Sequence, residues 1–106
     1  MLGRKLEYLI ALSKEAHFAR AAAVCHVSQP TLSAAIQQLE AELGIQIVKR
    51  GQRFQGFTEQ GELVLAAAQH MALECDRLHQ KLRLIFPFHG GSVKKARWQL
   101  RLQRRE

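Results

Sequence analysis

Residues 28–38, Ser-Gln-Pro-Thr-Leu-Ser-Ala-Ala-Ile-Gln-Gln, are rich in hydrogen-bonding groups and empty of charge. Ser28, Gln29, Thr31, Ser33, Gln37 and Gln38 all donate and accept through uncharged groups, Pro30 and Ala34 add small apolar surface, and nothing acidic appears before Glu40. A helix face that is merely solvated carries more Glu and Lys. A face that must approach base edges closely carries side chains of this kind. The second set is Lys49, Arg50 and Arg53, three cations around Gly51 with no acid among them. Such a cluster suits phosphate.

Other constellations are weaker. Cys75 and His79 stand four residues apart on one helical face, a spacing that suits metal ligation, but two ligands do not complete a site and Cys75 falls on an apolar seam. No metal site is therefore expected. Cys25-His26 reads as a core cysteine beside a turn histidine. A Gly-rich phosphate loop, a nucleophile elbow and a paired-carboxylate cleft are all missing from the sequence, so we expect no enzyme, no catalytic residue and no cofactor.

Bulk charge is a poor guide here. The 106 residues carry a formal charge of +7, yet residues 1–80 hold eight basic and eight acidic side chains, and the excess lies in residues 81–106. The 47% apolar content supports a core. No apolar run reaches membrane-spanning length, the N-terminus has no signal-peptide pattern, and the two cysteines form no framework. A cytoplasmic protein with no membrane partner is expected.

The elements that position these residues follow from periodicity and capping. Leu2, Leu6, Leu9 and Ile10 share one face of a first helix over 4–14, and Phe18, Ala21, Ala22 and Cys25 form a short second one. His26-Val27 makes a tight connection, after which Ser28 is an N-cap, Pro30 occupies the first turn, and Val27 with Leu32 has the spacing of a hydrophobic staple. A third helix buries Leu32, Ile36, Leu39 and Leu43 and stops at Gly44. Ile45, Ile47, Phe54 and Phe57 flank the cationic tip as a hairpin-like loop. Thr58 caps a fourth helix that runs to about Phe86. Two short helices joined tightly, the second small and polar at its start, describe a helix-turn-helix.

That fourth helix carries a heptad seam, Val64, Ala68, Met71, Cys75, Leu78, Leu82 and Ile85. At 1.5 Å per residue it extends roughly 40 Å, beyond the reach of a three-helix core. Its distal half is expected to pair with a second copy.

Taken in order, Phe18-x-x-Ala21-Ala22, Val27-Ser28-Gln29-Pro30-Thr31-Leu32-Ser33, Ile36-Gln37-Gln38-Leu39-Glu40-x-Glu42-Leu43-Gly44, Arg50 and Thr58-Glu59-x-Gly61 resemble the LysR-type transcriptional regulators over residues 4 to about 65. The resemblance implies a mainly α, winged helix-turn-helix fold, a three-helix core with a small β-hairpin wing, followed by a long dimerisation helix. The corresponding division is 1–59 for the DNA-binding domain (helix-turn-helix about 18–37), 58–86 for the linker helix, and 87–106 for a basic tail expected to be disordered. The family's effector-binding domain, and with it any small-molecule effector site, is expected to be absent from this chain.

The implied partner is double-stranded DNA, bound by a homodimer at an inverted repeat. The resemblance puts Gln29, Pro30 and Ser33 at the groove, Ser28, Thr31 and Gln38 at phosphates, and Arg50 and Arg53 on the wing in the minor groove. Family members often carry Arg and Gln after Ser33, where this chain has Ala34 and Ala35, so fewer direct base contacts and more weight on thymine methyls and DNA shape are expected. His17 replaces a usual serine, which removes an expected cap, and Val48 replaces a common phenylalanine beneath the wing. Two alternatives stay open: an interaction module that heterodimerises with a full-length regulator, and a gene remnant.

Overall fold

Four helices, α1 (Arg4–Glu15), α2 (Phe18–Val24), α3 (Gln29–Leu43) and α4 (Glu59–Ile85), make up most of residues 3–86, the part described by a computed structural model. Leu2 and the tail at 87–106 lie outside the described residues. Each boundary has a local cause. At the end of α1, Ala16 turns left-handed (φ 53°) and its N–H returns to the Leu12 carbonyl at 2.8 Å. His17 does not remove the cap of α2 as expected; it supplies one, because its Nδ1 accepts the Arg20 N–H at 3.2 Å. An imidazole nitrogen reaches the same backbone donor that a serine oxygen would.

The tight turn closes in the Schellman pattern. His26 is left-handed (φ 61°), its N–H donates to Ala23 O at 3.1 Å, and the Val27 N–H donates to Ala22 O at 3.0 Å. Ser28 then caps α3 through the Thr31 N–H at 3.2 Å, with Pro30 in the first turn. Val27 packs on the cluster that contains Leu32. Gly44, at φ 70°, ends α3 where a side chain would be strained.

Helix α1 sits at the centre. Its Tyr8, Ala11 and Leu12 pack with Ala21, Ala22 and Cys25 of the α2 region and Leu32 and Ile36 of α3. Leu9 and Ile10 pack instead with Leu39, Ile47 and the α4 residues Leu65, Ala68 and Ala72. Two expectations are corrected here. Leu43, expected in the buried stripe of α3, is instead 50% exposed, outside both clusters of buried side chains. Ala68, placed on the pairing seam, is 0% exposed within its own domain and has no surface to offer another copy. Val64 and Cys75 also pack partly on this core. The seam remains open only at Met71, Leu78, Leu82 and Ile85, all exposed. The start of α4 belongs to the domain, and its far end projects from it.

The wing is shorter than a regular hairpin. One antiparallel bridge joins Val48 to Phe57, and the Lys49 N–H donates to Gly56 O at 3.0 Å. Among the described residues no longer strand forms, since the polar tip has no alternating apolar face to bury. The wing is held by aromatic packing instead: Phe54 lies edge-on to Phe18 of α2 (centroids 5.8 Å apart) and to Phe57 (5.2 Å). Val48 packs against both core clusters.

Candidate nucleic-acid interface

Helical geometry divides the exposed face of α3 into three lines. Gln29, Ser33 and Gln37, four residues apart, border the wing and line one side of a cleft whose other side is Lys49, Arg50, Gly51 and Gln52. Phe18, Ile36, Glu40, Gln46 and Val48 also line it. Pro30 and Ala34 are exposed on the crest of the helix, and Thr31 and Gln38 are exposed on the flank away from the wing. Arg53 lies on a second cleft, with His17, Phe18 and Gln29. The uncharged stripe and the cations singled out from sequence therefore lie on one side of the molecule.

Lys49, Arg50 and Arg53 are exposed, and no carboxylate pairs with them among the described residues. Lys5 pairs with Glu42 and Arg77 with Glu74, away from these three cations. Unpaired cations keep their full field for a polyanion. Ser28 does more than cap: its Oγ and the Thr31 Oγ1 are 2.8 Å apart, so the pair uses one hydroxyl hydrogen between them and leaves the other for a further acceptor.

Sequence reading missed the residues that fix the wing. Glu40 Oε2 accepts the N–H groups of Ile47 (2.7 Å) and Val48 (3.2 Å). Thr58, read only as a cap, caps α4 through the Gly61 N–H at 2.9 Å and also donates its Oγ1 hydrogen toward the carbonyls of Gln46 (2.5 Å) and Ile47 (3.2 Å). Gly61 is buried against the Ile47 carbonyl, where a Cβ would collide with backbone. One signal for Glu40 was available: an acid in the last turn of a helix opposes the dipole and calls for a specific partner. Cys75 and His79 are both half-buried on α4, and among the described residues no three His, Cys, Asp or Glu side chains gather as metal ligands. No described helix is long and apolar enough to cross a membrane.

Comparison with known proteins agrees with this geometry. The family described as bacterial regulatory helix-turn-helix protein, lysR family, matches residues 4–62. The DNA-binding transcriptional dual regulator OxyR of Escherichia coli K12 is 49% identical over 71 residues, 67% of this chain and 23% of that protein. The hydrogen peroxide-inducible genes activator of Haemophilus influenzae is 43% identical over 95 residues, 85% of this chain and 32% of that protein. The chain thus spans a third or less of these relatives. Among solved structures, the BenM DNA-binding domain in complex with benA site 1 DNA superposes with a TM-score of 0.74 at 35% identity, covering 81% of this chain and 97% of that one. The CbnR DNA-binding domain in its DNA complex gives 0.71 at 33% identity, covering 77% and 94%. The relatives are transcription regulators rather than enzymes. A family match over more than half the chain, on a four-helix winged architecture, places this protein in the LysR family of bacterial regulatory helix-turn-helix proteins.

Proposed function

We propose that the chain is an operator-binding module that grips DNA as a dimer. The observation that carries this reading is the cleft between Gln29, Ser33 and Gln37 on one side and Lys49 and Arg50 on the other, the two cations exposed and paired with no carboxylate among the described residues. In this reading α3 enters the major groove with Gln29, Pro30, Ser33, Ala34 and Gln37 toward the base edges, and Gln29, Ser33 and Gln37 lie on the side next to the wing. Ser28, Thr31 and Gln38 meet phosphates, the first two through their leftover hydroxyl hydrogen. Arg50 and Arg53 follow the minor groove, with Lys49 beside them. Because Ala34 offers only a methyl group, specificity rests on amides, thymine methyls and DNA shape.

Pairing uses the exposed end of α4. Leu78 (43% exposed), Leu82 (44%) and Ile85 (59%) stand open among the described residues, and apolar residues recurring along one helix favour a second helix. Two domains so joined address an inverted repeat whose half-sites lie about 34 Å apart or a multiple of it. The protein acts in the cytoplasm. Selection of bound duplexes from a random pool, followed by affinity measurements across a salt series, tests this reading. A dimer with 6–10 phosphate contacts yields a log–log slope of roughly −5 to −9; no binding, or a flat salt dependence, refutes it.

The same exposed seam supports a second reading, in which a related regulator's linker helix takes the place of the second copy. Sedimentation of the chain alone, and mixed with a full-length relative, separates the two.

A further inference from the structure

Glu40 lies on α3 seven residues after Ser33, on the same side of the helix, and both line the cleft that faces Lys49 and Arg50. Its carboxylate reaches the wing. One oxygen, Oε2, accepts from both the Ile47 and Val48 N–H groups, and Val48 is the residue that bridges to Phe57. From the opposite side, Thr58 at the start of α4 takes the carbonyls of Gln46 and Ile47. The segment 46–48 is therefore clamped, its N–H side to the recognition helix and its C=O side to α4. Lys49 and Arg50 follow directly after the clamp.

We propose that Glu40 is a positioning residue for DNA recognition: its carboxylate sets the spacing between recognition helix and wing, so that groups on the two elements meet adjacent grooves in one register. This rests on the reading that the cleft receives a duplex. Glu40 touches no DNA in it. Without the carboxylate the wing base loses its tie to α3 and is held only by Thr58 and the aromatic packing; if it then occupies the competent position about a tenth of the time, apparent affinity falls about tenfold.

The test uses the full chain and a duplex obtained by random-pool selection. Affinity is measured for wild type, Glu40→Ala, Glu40→Gln, Arg50→Ala and the Glu40→Ala, Arg50→Ala double variant, and amide hydrogen exchange is followed at Ile47 and Val48. Glu40→Ala is expected to bind about tenfold more weakly and to expose both amides to exchange. Glu40→Gln, whose amide oxygen can accept the same two N–H groups, keeps near-wild-type affinity and protection. In the Arg50→Ala background the wing contact is already lost, so Glu40→Ala costs much less than in wild type, the coupling expected of residues that act through one another. Glu40→Asp, one methylene too short to reach the amides, behaves as Glu40→Ala and serves should the alanine variant fail to fold. Equal affinity of wild type and both shortened variants, unchanged exchange at Ile47 and Val48, or additive losses in the double variant would each overturn the assignment, additivity marking a general loss of stability. A wild-type chain that binds no duplex overturns the interface itself, an outcome distinct from a binding chain that is indifferent to Glu40.

Discussion

Replacing Gly61 by alanine sets two effects of opposite sign against each other, and the structure decides between them. In a helix interior Gly→Ala stabilises by about 0.8–1.0 kcal/mol through propensity. At Gly61, however, a Cβ would fall on the carbonyl group of Ile47, which is backbone and cannot rotate away. Restoring a carbon contact of about 3.5 Å requires the start of α4 to retreat by roughly 1 Å or more. The retreat pulls Thr58 from the wing base, where its N–H donates to Ile47 O at 2.8 Å and its Oγ1 hydrogen toward Gln46 O at 2.5 Å. Overpacking strain costs about 1–3 kcal/mol, and each weakened hydrogen bond adds about 0.5–1.5 kcal/mol. Less the propensity gain, Gly61→Ala is expected to destabilise by about 2–3 kcal/mol. For a domain of this size that lowers the melting midpoint by roughly 8–24 °C. Urea denaturation followed by far-ultraviolet circular dichroism measures the difference directly. A variant as stable as wild type, or more stable, would show that α4 does not press on Ile47 and would refute the packing argument.

Ala16→Gly acts in the opposite direction. The αL conformation at Ala16 (φ 53°) costs an alanine about 1–2 kcal/mol, so glycine there is expected to raise stability by about 0.5–1 kcal/mol after its larger unfolded-state entropy is counted, a gain readable in the same urea titration. Arg50→Ala is expected to weaken all duplex sequences alike and to make the salt slope shallower by about 0.9 per subunit; an unchanged slope removes Arg50 from the phosphate contacts. Substituting Leu78 and Leu82 together by aspartate, at positions exposed in the single chain, is expected to leave the helical circular dichroism signal and thermal midpoint of the domain in place while sedimentation shifts from dimer to monomer. A dimer that persists would move the pairing surface off the distal part of α4.

How much could be read from the chain alone depends on the range of the interaction. The caps at Ser28, Thr58 and Gly44, the tight turn at His26 and the run of α4 to Ile85 were legible, because each is set by residues within a few positions of one another. His17 was misjudged for a related reason: its spacing to Arg20 was right for a cap, and only the ring orientation showed Nδ1 filling a role expected of a serine oxygen. The uncharged face of α3 and the cations of the wing were also legible, since composition along one element is a local property. That they share one cleft was not.

What the sequence by itself determined, then, is where each helix begins and ends and which side chains line the recognition helix, because backbone groups at helix ends must be satisfied by near neighbours. The tertiary structure decided the rest. It gave Glu40 to the wing and pressed Gly61 onto Ile47, and it divided one unbroken heptad pattern into a proximal part sealed at Ala68 and a distal part open at Leu78, Leu82 and Ile85. A periodic apolar stripe states only that a helix has something to bury. Which length of it is already covered depends on where α1 and the wing base come to rest against α4, and no spacing within α4 records that.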